Sequence, residues 1–328
     1  MTSFPGFVFP LPDLAVIEAR GDDAASFLQG QLTNDVAVLD GGRACLAGYC
    51  TAKGRLLASM VVWRPASPEG AALNMLVKAD LAENLLKRLS MFVLRAKVKL
   101  SLTPLKAHGV MPASAFPPAQ SGRLEAHADT ALALPPPAAP WSVLHDAQGS
   151  WVSAPAVNGA ARWWLVSESR RGPDLAGERD GRPGAWQAAD IAAGLPWVQA
   201  ATQDLFIPQT LNLDLIQGVS FSKGCYPGQE VVARSHYRGT VKRRMAYAVA
   251  EASSGIDPGA LAGVDLFDGN RPGAPCGRVV NAAPGADGAL HVLMEVQLAD
   301  LGSADFRLAS AEGPGLQLRD LPYAFGPG

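Results

Sequence analysis

The segment Ser222-Lys223-Gly224-Cys225-Tyr226-Pro227-Gly228-Gln229-Glu230 holds the clearest potential for chemistry in the chain. It sets one thiol between two glycines, with a lysine two residues before it. Glycine supplies positive φ or a close backbone approach, and Pro227 stiffens the bend. A thiolate attacks electrophiles and binds metals, and a nearby lysine favours that form over the thiol. Cys225 and Lys223 are therefore the candidate catalytic pair. The competing reading is a free cysteine that only fills space. An unbroken run of special residues in one loop argues for chemistry, because loops carry function out of proportion to their length.

Other residues offer weaker signals. Lys223, Arg234, Arg238, Lys242, Arg243 and Arg244 are opposed only by Glu230 over this stretch, on a chain of net charge −2. Such clustering suits an anionic ligand, RNA phosphates among them. It equally suits a solvated strand entry, since three consecutive cations cannot face one way. His236 follows Cys225 by eleven residues, with no third group identifiable to orient a cysteine–histidine pair. Gln31, Asn34 and Asp35 fall late in a first helix and either end it or face a ligand. Gln209 and Asn212 either hydrogen-bond a ligand or cap their own turns.

The elements that must position these groups follow from periodicity. Leu14 to Ala19 reads as a strand, and Asp22 or Asp23 then caps a helix bearing Ala24, Phe27, Leu28 and Leu32. Strand-like runs cover Ala44 to Thr51, Arg55 to Arg64 and Ala72 to Lys78. Asp80 opens a helix with Leu81, Leu85, Leu89 and Phe92 on one face, and Ala96 to Leu105 returns to alternation. Met111 to Pro140 is a Pro-, Ala- and Ser-rich linker. A second α/β stretch holds the strand Trp163 to Ser167 and a helix near Ala185 to Ala193, stopped by Gly194 and Pro196. From Val241 onward, short β runs separated by Gly, Pro and Asp predict a small barrel or sandwich. The fold class is α+β. The domains are an N-terminal α/β module over 1–107, a second over 108–240 ending in the cysteine turn, and a C-terminal β-barrel over 241–328.

Composition permits this plan. With 328 residues, 48% hydrophobic and 18% charged, the chain holds two or three cores and no global field for nucleic acid or membrane. Four scattered cysteines make no disulfide framework, and Cys45 and Cys50 lack the second close pair of a zinc site. No signal peptide or long apolar span is visible, so a cytoplasmic protein is expected, with no membrane partner.

The motif KGCYPGQE, continued as VVARSHYRG, closely resembles the signature of YgfZ-type folate-binding proteins, relatives of the glycine-cleavage T-protein. The likeness extends to the block Phe27-Leu28-Gln29-Gly30-Gln31-Leu32-Thr33-Asn34-Asp35, to Lys53-Gly54-Arg55 and to Leu94-Arg95-Ala96-Lys97-Val98. It continues in Ile207-Pro208-Gln209-Thr210-Leu211-Asn212-Leu213 and Leu321-Pro322-Tyr323. The resemblance implies two ferredoxin-like modules and a small barrel arranged as a ring around a central folate channel.

It also implies a tetrahydrofolate or other reduced folate ligand and a role in iron–sulfur cluster assembly and thereby tRNA modification. Partners would be iron–sulfur enzymes or cluster-assembly proteins, with direct tRNA contact open. Trp186 is either a pterin-stacking ring or a core tryptophan. Leu14 stands where family members can carry a second folate-contacting tryptophan, and keeps apolar contact without stacking. Gln31, Asn34, Asn212, Tyr226, Gln229, Glu230 and Arg234 complete the expected folate contacts. Two departures argue against aminomethyl transfer, the alternative activity. Ala58 and Ser59 replace the T-protein's acidic pair, and Ala192 replaces its pterin-gripping glutamate.

Overall fold

The computed structural model describes all residues except 1, 5, 67–70, 113, 114, 116–131, 136, 137, 169–183, 238–240, 252–255 and 326–328. Strands dominate, with four α-helices among the described residues: α1 (Ala24–Gln29), α2 (Ala79–Ser90), α3 (Ala185–Ala192) and α4 (Gln229–Tyr237).

The first antiparallel sheet runs Ala44–Cys50, Leu56–Trp63, Ala72–Lys78, Leu14–Arg20 and Lys99–Leu102 in spatial order. Ala72–Lys78 is buried along its whole length, which explains its near-continuous apolar sequence. α2 covers this sheet with Leu81, Ala82, Leu85 and Leu89, one apolar face at helical spacing. Asp80 in its first turn and Lys87 and Arg88 in its last complement the helix dipole. The alternation expected over Ala96 to Leu105 is paired only at Lys99–Leu102.

The second sheet is also antiparallel and orders Val143–Asp146, Gly149–Val157, Ala160–Ser167, Lys106–Pro112 and Gly6–Pro10. Its last strand comes from the N-terminus, within the stretch assigned from sequence to the first module. The expected linker over Met111 to Pro140 lies largely outside the described residues. Its described part includes Leu132–Leu134, paired with Thr2–Phe4.

The third sheet orders Phe306–Leu308, Asp265–Asp268, Gly277–Pro284, Ala289–Gln297, Arg243–Glu251 and Gln317–Arg319, all antiparallel. The sheet is a half-barrel whose edges meet at the Arg307–Gly315 bridge, where the Leu308 N–H donates to the Pro314 carbonyl at 3.0 Å and the Leu316 N–H to the Phe306 carbonyl at 2.8 Å. One core joins both five-stranded sheets, and a second fills the third sheet. No helix among the described residues is long and apolar enough to cross a membrane.

Candidate functional site

The cysteine turn is held by backbone contact from three directions. Gly228, at φ 82°, packs on the turn of Lys53-Gly54-Arg55, where Gly54 has φ 72°. A Cβ on Gly228 would lie 2.6 Å from the Gly54 Cα, so both positions require glycine. Arg55 Nη1 donates to the Leu205 carbonyl at 2.6 Å and ties this turn to the segment before Pro208. Gln209, fully buried, donates from Nε2 to the Val232 carbonyl of α4 at 2.6 Å.

The third support is the block after α1. The helix ends at Gln29, so Gln31, Asn34 and Asp35 lie beyond it rather than late within it. Thr33 Oγ1 donates to the Gly218 carbonyl at 2.7 Å and accepts the Gly48 N–H at 2.7 Å. Asn34 Nδ2 donates to the carbonyls of Leu46 and Gln217, each at 2.7 Å. Asn34 thus staples the approach of the cysteine turn to the first sheet. Gln31 Oε1 and Asp35 Oδ1 are buried without a hydrogen-bond partner.

On this platform Cys225 is exposed, while Cys50 and Cys276 are buried and Cys45 is half-buried. Lys223, by contrast, is only 9% exposed. Its Nζ donates to the Gln29 and Leu32 carbonyls, the latter at 2.6 Å, and lies 5.0 Å from the Tyr226 ring centre. Lys223 is therefore a tie between the turn and α1 before it is anything else. It carries no hydrogen bond to the Cys225 thiol, and the two groups meet through charge alone. Burial lowers its pKa to about 8, against the opposing pull of Asp35, Cys45 and Cys225. Burial also pushes the Cys45 and Cys50 thiols up to about 12, which keeps both protonated at neutral pH. Among the described residues, no group of three or more His, Cys, Asp or Glu side chains could hold a metal ion.

Glu230 lies exposed in the first turn of α4, where its charge suits the helix dipole, with Gln229 half-buried before it and Arg234 exposed one turn later. His236 stacks on Phe221 with ring centres 3.7 Å apart, so its ring is engaged by a neighbour other than the thiol. Two of the six clustered cations are paired within the fold. Arg243 is bidentate to Glu295 at 2.6 and 2.8 Å, and Arg244 is bidentate to Asp214 at 2.6 and 3.1 Å. Lys223 is buried and engaged as well, Arg234 stays exposed, and Arg238 lies outside the described residues.

Three of the expected folate contacts are buried. Trp186 is 1% exposed. It packs under the Arg162 guanidinium at 4.8 Å, against Phe9 and Trp164, and a Cβ on Gly109 would run into its ring. It is a core tryptophan and presents no face for stacking. Asn212 is fully buried, donating to the Met245 carbonyl at 2.8 Å and accepting the Met245 N–H at 3.3 Å. It fixes a left-handed turn (φ 57°) onto the third sheet. Leu14 is buried in the main core. Ser59, at one of the departures from the T-protein pattern, is likewise structural, accepting the Val198 N–H at 2.9 Å.

A cleft of about 750 Å³, mostly apolar but with a few polar side chains, lies elsewhere, between the first sheet, α3 and the third sheet. Asp13, Lys78, Gln187 and Gln199 line it. The Asp13 carboxylate accepts from Lys78 Nζ at 2.6 Å and from Gln187 Nε2 at 3.1 Å. A second, smaller cleft shares Lys78, Gln187 and Gln199 and adds Asp190, Trp197 and Asn281. Neither is lined by Cys225, Lys223 or Tyr226. The sequence signal for this site was a lysine closing the largely apolar strand Ala72–Lys78, a charge in a place that demands a partner.

Three antiparallel sheets closed by few helices define a fold shared with a glycine-cleavage aminomethyltransferase. The aminomethyltransferase T of the Bartonella henselae glycine cleavage system superposes with a TM-score of 0.67 over 98% of this chain and 87% of that one, at 16% identity. The chain belongs to the YgfZ family. It is 30% identical to the tRNA-modifying protein YgfZ of Sodalis glossinidius across 98% of this chain and 94% of that protein. It is equally 30% identical to the YgfZ of Yersinia pseudotuberculosis, across 77% of this chain and 73% of the relative. No family model matches the chain.

Proposed function

We propose that this chain is a folate-binding accessory protein of iron–sulfur cluster assembly or repair, and through cluster-dependent enzymes of tRNA modification. Cys225 is its working thiol. The observation that carries the reading is the exposure of that sulfur between Lys223 and Tyr226, which are buried, with Lys223 bonded to the Gln29 and Leu32 carbonyls. Rigid support of one accessible nucleophile is what a functional cysteine requires and a packing cysteine does not. The names of the curated relatives support the tRNA link.

Folate fits the Asp13 cleft better than the expected tryptophan. A pterin presents paired N–H donors, and a carboxylate accepts two at once. Asp13 and Gln187 would read that edge, and Lys78, donating to Asp13 at 2.6 Å, would hold the carboxylate in place. On this reading the cleft is the mouth of a central channel between two ferredoxin-like modules and the half-barrel. Lys223 holds the turn in register, while Tyr226, Gln229, Glu230 and Arg234 shape the surface around the thiol.

The test has two arms. In cells relying on this protein, Cys225→Ala abolishes activity of a cluster-dependent tRNA-modifying enzyme while the purified variant keeps its Tm; full activity removes the thiol assignment. In vitro, Asp13→Ala weakens tetrahydrofolate binding by about tenfold or more, a loss of ~1.4 kcal/mol. Unchanged affinity would place the folate elsewhere.

A further inference from the structure

After the last turn of α2 the chain reads Met91-Phe92-Val93-Leu94-Arg95-Ala96-Lys97-Val98-Lys99. Met91 is 66% exposed, Phe92 47% and Leu94 86%. Lys87, Arg88, Arg95, Lys97 and Lys99 surround them, all exposed, and no acidic residue interrupts residues 84–99. Lys97 approaches the exposed Asp22 at 3.9 Å, a pair that water screens. Lys87, Arg95 and Lys99 have no ion-pair partner among the described residues.

This is not a frayed end. The Phe92 N–H donates to the Leu89 carbonyl at 3.0 Å, Val93 to Ser90 at 3.2 Å and Leu94 to Phe92 at 3.1 Å. Asp23 Oδ2 accepts the Lys97 N–H at 2.7 Å and pins the far side. The backbone therefore presents three large apolar side chains to water in fixed positions. Contiguous apolar surface rimmed by charge marks an interaction site.

We propose that residues 87–99 form a docking surface for a partner protein that is acidic around an apolar centre. Charge complementarity sets the sign of the partner, and the apolar residues set its class. Single-stranded RNA is gripped by aromatic stacking, and only one of the three exposed apolar side chains here, Phe92, is aromatic. An anionic membrane is bound by a long amphipathic helical face, and here the apolar residues occupy about one turn and the loop after it. Methionine and leucine seated in a shallow groove, with cations steering from the rim, is the chemistry of a transient protein complex.

The surface is also joined to the thiol turn by direct contacts. Lys223 bonds the Leu32 carbonyl, Leu32 pairs with Tyr49, and the Arg88 guanidinium reaches the Tyr49 hydroxyl. A partner docked here would lie on a wall continuous with the turn that carries Cys225. The docking proposal does not require that thiol to be reactive.

The test uses the full chain and a fluorescein-labelled amphipathic helical peptide of leucine and glutamate. Binding is read by anisotropy, and the footprint by hydrogen exchange. Expected are protection over residues 87–99, affinity at least tenfold weaker in Met91→Ser/Leu94→Ser and in Arg95→Glu/Lys99→Glu, and no change in Cys225→Ala. If the serine pair lowers the Tm, Leu94→Asn alone takes its place. Unchanged affinity in both pairs, protection elsewhere, or binding of poly(U) or phosphatidylglycerol vesicles at this surface in place of the peptide overturns the proposal. Loss of binding in Cys225→Ala would show that the peptide reads the thiol turn and would overturn it too.

Discussion

Two stretches of this chain are rich in positive charge, and the fold treats them oppositely. Around residues 223–244 three of the cations are engaged by the fold: Lys223 by the Gln29 and Leu32 carbonyls, Arg243 by Glu295 and Arg244 by Asp214. Over residues 87–99 they stay in water beside apolar side chains that are also in water. The first stretch looks more like a ligand site in sequence, and the second keeps more of its charge available. A cation recognises an outside partner only where its own chain has not already supplied the counter-charge.

The difference predicts how substitutions divide between stability and binding. Arg244→Ala should cost the most, about 3 kcal/mol, because it strands the nearly buried Asp214 carboxylate without its partner. Chemical denaturation at pH 7 checks this, and a loss under about 1 kcal/mol would mean that the pair is solvated after all.

Lys223 should show itself through pH. Its folded pKa, about 8, lies below the unfolded value of 10.5. Between those values the unfolded chain holds the extra proton, so this lysine's contribution makes stability rise with pH from about 8 and level off above about 10.5. Lys223→Met should remove that slope; an unchanged slope would assign it to other groups. Arg95→Ala should have the smallest effect, within ~0.5 kcal/mol, as expected for an exposed side chain with no partner. A larger loss would place Arg95 in the fold rather than on a free surface.

Much of the scaffold could be read without coordinates. Leucines three and four apart marked α2, and apolar runs marked Leu56–Trp63 and Ala72–Lys78, because both patterns record burial along one element. The cysteine turn was equally plain, since paired glycines about a proline have few other uses. Trp186 was ambiguous for a physical reason. It and Gln187 are neighbours about 100° apart around α3, and periodicity cannot say which faces the cleft. The structure gives the cleft to Gln187 and the core to Trp186. α4 went unrecognised because Val231 and Val232 follow a Pro-Gly bend, a poor local helix signal.

From its sequence alone this protein was bound to make helices and strands of these kinds, and to bend stiffly around one cysteine. Those outcomes depend on neighbours within a few residues, where backbone sterics and side-chain periodicity act directly. Only the tertiary structure could decide that Gly54 meets Gly228, that Asp13 meets Gln187, and which arginines keep their charge in water. Pairing and desolvation depend on distances through space. Those distances exist only once chain segments more than a hundred residues apart, such as Asp13 and Gln187, have closed on one another.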